Sequence, residues 1–170
     1  GNFISRETHH SALANYLTEL IDAQFVRTIG TYQSLQSASG VGGKGIDFIK
    51  KNGSGNSYGD SLEMATDAKA ILGATYQALG ITLVHGESDE RDNILNYDNQ
   101  VATLRQDYDI DFRAISGQTG KIPIFLNQMN GYWHSLAVED ARKARGVIPM
   151  QQLALAVDNP YVFMIGPSYQ

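Results

Sequence analysis

Residues 81–89 read Ile-Thr-Leu-Val-His-Gly-Glu-Ser-Asp, and the fold prediction starts from them. Its apolar first part, residues 81–84, is typical of a buried strand in a parallel sheet. The polar residues His85, Gly86, Glu87, Ser88 and Asp89 follow directly. Because α/β sheets bind ligands at the carboxyl ends of their strands, residues 85–89 are predicted to line a functional site. The simpler alternative is a turn that begins a helix, with Ser88 or Asp89 as the cap.

Strand and helix patterns alternate on both sides of this stretch. Strands are predicted over residues 25–32, 81–85, 122–128 and 161–165. Helices are predicted over residues 12–21, 61–78 and 93–115, with a short one near Pro149. Short apolar strands separated by helices predict an α/β fold with a parallel sheet between two helical layers, in a single domain of residues 1–170.

Residue preferences at helix ends set the predicted boundaries. Asp60 is a good N-cap for the helix over 61–78, and Gly80 is a good stop for it. Pro149 suits a first helical position. Gly117 is predicted to end the helix over 93–115. One face of that helix is predicted to carry Tyr97, Val101, Leu104, Tyr108 and Phe112.

The composition excludes several classes of function. The chain has 170 residues, 42% of them hydrophobic, and a net charge of −5, so it has material for a core but no basic surface for nucleic acid. It has no cysteine, which excludes disulfides, thiolate catalysis and zinc-thiolate sites. No apolar run approaches the length of about 18 residues that a membrane span needs.

No metal site and no cofactor are predicted. His9 and His10 are adjacent, so they do not share a helix face as joint ligands would. Asp107, Asp109 and Asp111 alternate near the end of a predicted helix and are interpreted as a solvated face, because the glycine and terminal glutamate of a calcium loop are absent.

A glycine-rich loop precedes the first long helix. Residues 39–46 read Ser-Gly-Val-Gly-Gly-Lys-Gly-Ile, and backbone N–H groups of such a loop can face an anion or a developing oxyanion. The phosphate-loop pattern needs Ser or Thr after Gly-Lys, and Gly45 follows Lys44, so that pattern fails. The alternative is a flexible turn with no ligand.

Two further segments are weaker candidates. Residues 59–62 read Gly-Asp-Ser-Leu, the tetrapeptide of a group of lipases and esterases, but no buried strand is predicted before Ser61, so this serine is interpreted as a decoy at a helix start. Trp133 and His134 lie in a loop after a predicted strand, where the indole could stack on a sugar ring or fold back onto the domain.

Taken together, the residues at 40–46, Lys51-Asn52-Gly53-Ser54, Tyr58 and 85–89 resemble the SGNH hydrolase superfamily, in particular its carbohydrate esterase and sialate O-acetylesterase-like branch. That branch includes esterase domains of phage tail proteins, and it carries a "GGxxI" loop and a "QGESD" turn. Glu7-Thr8, residues 115–119, residues 159–163 and residues 166–169 are similar to other segments of the group, in the right order.

The resemblance implies a flavodoxin-like fold and a serine hydrolase that removes O-acetyl groups from a carbohydrate or polysaccharide. Gly43, or else Gly42, would donate its N–H to the oxyanion, and His85 would stand where the branch has Gln. The family serine precedes the segment matching Glu7-Thr8, and its "DxxH" segment follows the one matching 166–169. We therefore expect a chain truncated at both ends, with the triad outside it and other segments or chains, including further copies, completing the sheet.

Two alternatives remain open. In the first, the chain is a non-catalytic SGNH-like module for binding or assembly, for example in a viral fibre or virion. The resemblance also favours an extracellular or virion-associated location. The second alternative keeps the enzyme within these residues and uses Ser61 with one of the four histidines.

Overall fold

The computed structural model describes residues 19, 20, 23, 35–92, 94–129 and 146–167. The chain divides into two compact units, Gly1–Ala38 and Ser39–Gln170, so the predicted single domain stays a prediction. All elements named below belong to the second unit. Residues 19 and 20 of the predicted first helix are helical, whereas the predicted strand over 25–32 lies outside the described residues.

Three parallel strands form the sheet of the described part of the chain. They are β1 (Ile81–Val84), β2 (Ile124–Gln128) and β3 (Val162–Pro167), in the spatial order β1-β2-β3. Leu83 pairs with Leu126, which pairs with Met164 on the other side. The predicted α/β fold with a parallel sheet is therefore confirmed, and the three strand positions agree with the sequence patterns.

Five helices are described around this sheet. They are α1 (Ile46–Ile49), α2 (Ser57–Leu72, followed by a 3₁₀ turn over Gly73–Thr75), α3 (Glu87–Arg91), α4 (Tyr97–Ser116) and α5 (Val147–Asp158). Right-handed connections between neighbouring parallel strands place their helices on the same face of a sheet. In agreement, α4 packs against α5, and α5 packs against β2 and β3. Within the described ranges no helix is both long and apolar enough to cross a membrane.

The core lies between these helices and one face of the sheet. Leu83, Ile124, Leu126 and Val162 point into it from the strands. Alternation along each strand therefore buries one side chain in two. The predicted inner face of α4 is confirmed, since all of its members are buried: Tyr97, Val101, Leu104, Tyr108 and Phe112.

The opposite face of the sheet carries apolar side chains that remain open. Val84 is 50% exposed, Phe163 47% and Ile165 51%. The expectation that the whole apolar run 81–84 is buried is wrong at Val84, because the described helices pack on the other face. The rings of Phe125 and Phe163 stack on this open face, with centroids 5.7 Å apart.

Helix α2 begins and ends earlier than predicted. Tyr58 stacks on Tyr108 with centroids 4.4 Å apart and donates to Asp111 at 2.8 Å, which draws the chain into the helix before Asp60. Gly73, at φ +60°, follows its last residue, since glycine adopts this conformation without steric cost. Gly80 has a different role, because a Cβ there would lie 2.7 Å from the Phe125 ring.

Helix α5 also departs from the prediction at its start. It begins at Val147, so that Pro149 is its third residue and not its first. Gly146 precedes it at φ +90°. Proline is tolerated here because the first-turn N–H groups have no partner within the helix.

Asp109 corrects the interpretation of the acidic run as a solvated face. Its side chain is 3% exposed and accepts the Ile122 N–H at 2.9 Å and a hydrogen bond from Lys121 Nζ at 2.9 Å. Burial raises the pKa of Asp109, but the Ile122 N–H, Lys121 and Arg105 together bring this pKa below its ordinary value. The carboxylate thus joins α4 to the segment that leads into β2.

Gln152 of α5 fixes the carboxyl ends of two strands. Its side chain is fully buried, accepts the Met129 N–H at 2.9 Å and donates to the His85 carbonyl oxygen at 2.8 Å. One amide therefore pairs two backbone groups just beyond β1 and β2, where the ladder can no longer pair them. Buried backbone groups need such partners.

Replacing this amide tests its structural role. Gln152→Ala leaves two buried backbone groups without partners, so the free energy of unfolding should fall by about 3 kcal/mol. Val157→Ala, on the same helix at a side chain that is 77% exposed, is the control and should change it by less than about 0.5 kcal/mol. Urea denaturation measures the free energies of unfolding of both variants. Equal effects of the two substitutions would contradict the structural role of Gln152.

Candidate functional site

The candidate site lies at the carboxyl end of β1, where the strand-end turn (residues 85–89) begins. Gly86 turns the chain at φ +127°. A Cβ at this position would lie 2.7 Å from the Met129 sulfur and 2.9 Å from Ile148. Both the conformation and the close packing therefore require glycine at residue 86.

The turn leads into α3, but its cap differs from the prediction. Gly86 is the N-cap, and its position lacks a side-chain cap among the described residues. Ser88 and Asp89 lie inside the helix and are buried, with Asp89 only 2% exposed. The interpretation of Ser88 or Asp89 as the cap is therefore wrong, because the Asp89 side chain is committed to another segment.

Asp89 binds the backbone of the residue that directly follows the glycine loop (residues 40–45). Its Oδ1 accepts the Ile46 N–H at 2.9 Å. The position of a Cβ on Gly45 would be 3.1 Å from the same oxygen, so a larger residue would crowd the carboxylate. The two segments singled out in the sequence, 40–46 and 85–89, are thus neighbours in space.

The remaining glycines of the loop are open within the described part of the chain. Gly42 and Gly43 are exposed, and a Cβ on either would meet no atom of the described residues within 4 Å. Gly43 has a φ of +75°, a conformation that other residues rarely adopt. The loop is therefore held at Ile46 and accessible around residue 43.

His85 is buried beside this loop. Its Nδ1 lies 3.1 Å from the Tyr97 hydroxyl and 3.4 Å from Asp89 Oδ2. Its ring is nearly parallel to that of Tyr97, with centroids 5.8 Å apart. Its Nε2 is buried and has no hydrogen-bond partner among the residues that the structure describes. The imidazole that the sequence placed in the strand-end turn therefore lies at the end of β1, but it is buried.

Burial shifts the pKa values of His85 and Asp89. It lowers the pKa of His85, while Asp89, Glu87 and the backbone of Lys44 and Gly45 oppose the shift. Burial likewise raises the pKa of Asp89, against the Ile46 N–H and His85. The imidazole is therefore neutral near pH 7.

The other members of the turn have distinct environments. Glu87 is exposed at the start of α3, and Ser88 is buried. Glu90, which the sequence analysis did not single out, is 3% exposed and accepts the N–H groups of Gly146 and Ile148 at 3.1 and 2.7 Å. The positive end of the α5 dipole also stabilises a carboxylate at this position.

Ser61 lies within α2, among hydroxyl groups. It donates to the Ser57 carbonyl oxygen at 2.9 Å, its Oγ lies 2.6 Å from that of Ser39, and the Tyr108 hydroxyl donates to it at 3.2 Å. None of these three partners is a general base. The other weak candidates, Trp133 and His134, lie outside the described residues, as does the predicted loop over 130–135.

Three site residues were missed as such from the sequence. Tyr97 was assigned to the core alone, and Glu90 and Gln152 were not assigned. Gln152 did carry a signal, because it shares a helix face with Ile148 and Leu155, where a polar residue needs a buried partner. Glu90 carried none, since its partner begins at residue 146.

The resemblance to SGNH hydrolases depends on short motifs alone. No protein family model, curated protein or solved structure matches this chain. What supports a function is therefore the geometry of the glycine loop and the strand-end turn.

The buried imidazole predicts a pH dependence of stability. Because the folded-state pKa of His85 lies below its ordinary value, the unfolded chain takes up a proton that the folded chain refuses as pH falls below about 6.5. The free energy of unfolding should therefore fall more between pH 7.5 and 5.5 in the wild type than in His85→Gln. Urea titrations of both proteins at both pH values measure this difference. The three other histidines are present in both proteins, so their contributions cancel. An equal loss in both proteins would contradict it.

Proposed function

We propose that this chain is the central part of a serine ester hydrolase that removes O-acetyl groups from a carbohydrate or polysaccharide. The observation that carries the proposal is the hydrogen bond from the Ile46 N–H to Asp89, which joins the glycine loop to the strand-end turn at the carboxyl end of β1. Both segments that resemble the esterase motifs thus border one place, and α/β enzymes bind substrates at such places.

The helix arrangement supports a flavodoxin-like, three-layer version of the fold. In doubly wound sheets, helices on one face belong to one side of the point where strand order reverses. α4 and α5 pack on one face, while Val84, Phe163 and Ile165 leave the other face apolar and half open. In the proposed whole enzyme, segments from outside residues 1–170 cover this second face.

The glycine loop supplies the oxyanion donors in this proposal. A tetrahedral intermediate of ester hydrolysis carries a negative oxygen, and preorganised backbone N–H groups stabilise it without reorganisation. The exposed Gly43 is the proposed donor, with Gly42 as its neighbour. Asp89 would hold this loop in register with the strand end through Ile46.

The nucleophile and its base come from outside residues 1–170 in this proposal. A serine attacks the ester carbonyl, a histidine takes its proton and then returns it to the leaving sugar hydroxyl, and an aspartate orients the histidine. Trp133 and His134 remain proposed contacts to the sugar. As expected from the resemblance, an extracellular or virion-associated location is proposed.

A non-catalytic SGNH-like module is the second candidate. It is favoured by the open apolar face of the sheet, with Phe163 and Ile165 about half exposed, since larger apolar patches of this kind mark interaction sites. In this version the face serves assembly with other chains, for example in a viral fibre, and the glycine loop is structural.

Labelling with a fluorophosphonate probe separates these functions. The probe is applied to the protein in which residues 1–170 occur in their natural context, and the labelled peptide is mapped by mass spectrometry. A serine outside residues 1–170 should be labelled, because the proposed triad lies there. Replacing that serine with Ala should abolish both labelling and release of acetate from an O-acetylated polysaccharide.

Ser61→Ala is the matched control and should leave labelling unchanged. Label on Ser61 itself would contradict the proposal in favour of an enzyme contained within this chain. Absence of label in a folded protein would contradict both enzyme hypotheses, with the serine outside residues 1–170 or at Ser61. It would favour the non-catalytic module.

A further inference from the structure

The two nitrogens of the His85 ring have unequal surroundings. Nδ1 faces Asp89 Oδ2 at 3.4 Å and the Tyr97 hydroxyl at 3.1 Å. Nε2 is buried without a partner in the described ranges. A neutral imidazole carries a proton on only one of these atoms, so the neighbours decide which nitrogen donates and which accepts.

The carboxylate of Asp89 favours a proton on Nδ1. Among the described residues, Asp89 Oδ2 accepts no hydrogen bond of ordinary geometry, and His85 Nδ1 is the ring nitrogen beside it. A proton on Nδ1 points toward this oxygen, whereas a bare Nδ1 would place two lone pairs against each other. The Tyr97 hydroxyl could donate to a bare Nδ1, but Oδ2 would then remain unpaired.

The surroundings of Nε2 permit the same assignment. A buried N–H without an acceptor is rarer in native proteins than a buried acceptor without a donor. With the proton on Nδ1, the unpartnered Nε2 is the more tolerable kind of unsatisfied atom. The Asp89 side of the ring therefore decides the tautomer.

We propose that Asp89 is a positioning residue that fixes His85 in the Nδ1–H tautomer, so that Nε2 accepts a hydrogen bond from a hydroxyl-bearing ligand. The ligand class is an alcohol, such as a sugar hydroxyl, or water. His85 then differs in polarity from the glutamine of the resembling esterases, because its neutral ring cannot donate to an oxyanion from Nε2. In the proposed esterase, the oxyanion donors are accordingly backbone N–H groups.

The glycine loop controls access to this acceptor. Backbone groups of Lys44 and Gly45 lie close enough to the imidazole to raise its pKa, while Gly42 and Gly43 have open space around them within the described part of the chain. The loop is anchored at Ile46 by the same carboxylate that orients the ring. A ligand hydroxyl reaches Nε2 when the loop backbone over residues 40–45 moves outward.

Nitrogen-15 NMR of the histidine rings tests the tautomer without any ligand or ester. The His85 signals are those that disappear in His85→Gln. In the wild type near pH 7, they should show a protonated Nδ1 and a bare Nε2. A protonated Nε2 with a bare Nδ1 would overturn the proposal.

Asp89→Asn tests the positioning role. Because the Ile46 N–H needs an oxygen acceptor, the NH2 group of the introduced amide should face His85 Nδ1 and move the ring proton to Nε2. Retention of the wild-type tautomer in a folded variant would contradict the role of Asp89. If the variant does not fold, the wild-type spectrum still decides the tautomer.

Diethyl pyrocarbonate, which modifies bare imidazole nitrogens, tests access to Nε2. Peptide mass mapping should find slow modification of His85 in the wild type. This modification should be lost in Asp89→Asn, where the bare nitrogen faces the introduced amide. His85 that stays unmodified in the folded wild type would overturn the ligand-accepting role. Since no ester is involved, these results are independent of the outcome of the fluorophosphonate labelling.

Discussion

The buried carboxylate of Asp89 is the interaction on which the candidate site depends. A carboxylate removed from water costs several kcal/mol unless hydrogen-bond donors surround it. Asp89 has the Ile46 N–H on one oxygen and the His85 ring beside the other. Ile46 directly follows the glycine loop and His85 directly follows β1, so the carboxylate lies between segments that are 43 residues apart in the chain.

Two other buried polar side chains connect α5 to α3 and to the ends of β1 and β2. Glu90 accepts two N–H groups at the start of α5, and Gln152 of that helix pairs backbone groups beyond β1 and β2. Burying polar groups in a core is costly, and an apolar core would stabilise the fold as well. Their concentration at the carboxyl ends of the strands is the pattern expected where a protein gives up stability for a site.

The sequence predicted what depends on local periodicity. The three strands and the buried face of α4 follow from repeated apolar residues, and Gly117 ends α4 as its preferences indicate, at φ +79°. Boundaries set by tertiary contacts were missed. Tyr58 draws α2 into an earlier start because it packs on Tyr108, a residue of another helix far along the chain.

For the site, the sequence predicted the segments but not their connections. Residues 40–46 and 85–89 were recognised from glycine content and polar composition. The alternative role of Ser88 or Asp89 as a cap was wrong, because nothing in the sequence indicated that Asp89 binds the Ile46 N–H. Asp109 was likewise interpreted as solvated, since alternating acids carry no sign of the Ile122 N–H that one of them binds. Long-range hydrogen bonds of this kind leave no periodic pattern in a sequence.

Hydrogen exchange at the Ile46 amide tests the link between the two segments most directly. In the wild type this amide should be strongly protected, because its N–H is buried against Asp89 Oδ1 at 2.9 Å. In Asp89→Ala the protection of the Ile46 amide should fall. The amide of Glu90, which donates to the Gly86 carbonyl oxygen, should keep its protection from exchange. An Ile46 amide that exchanges in the wild type as fast as in a free peptide would contradict the central role of Asp89.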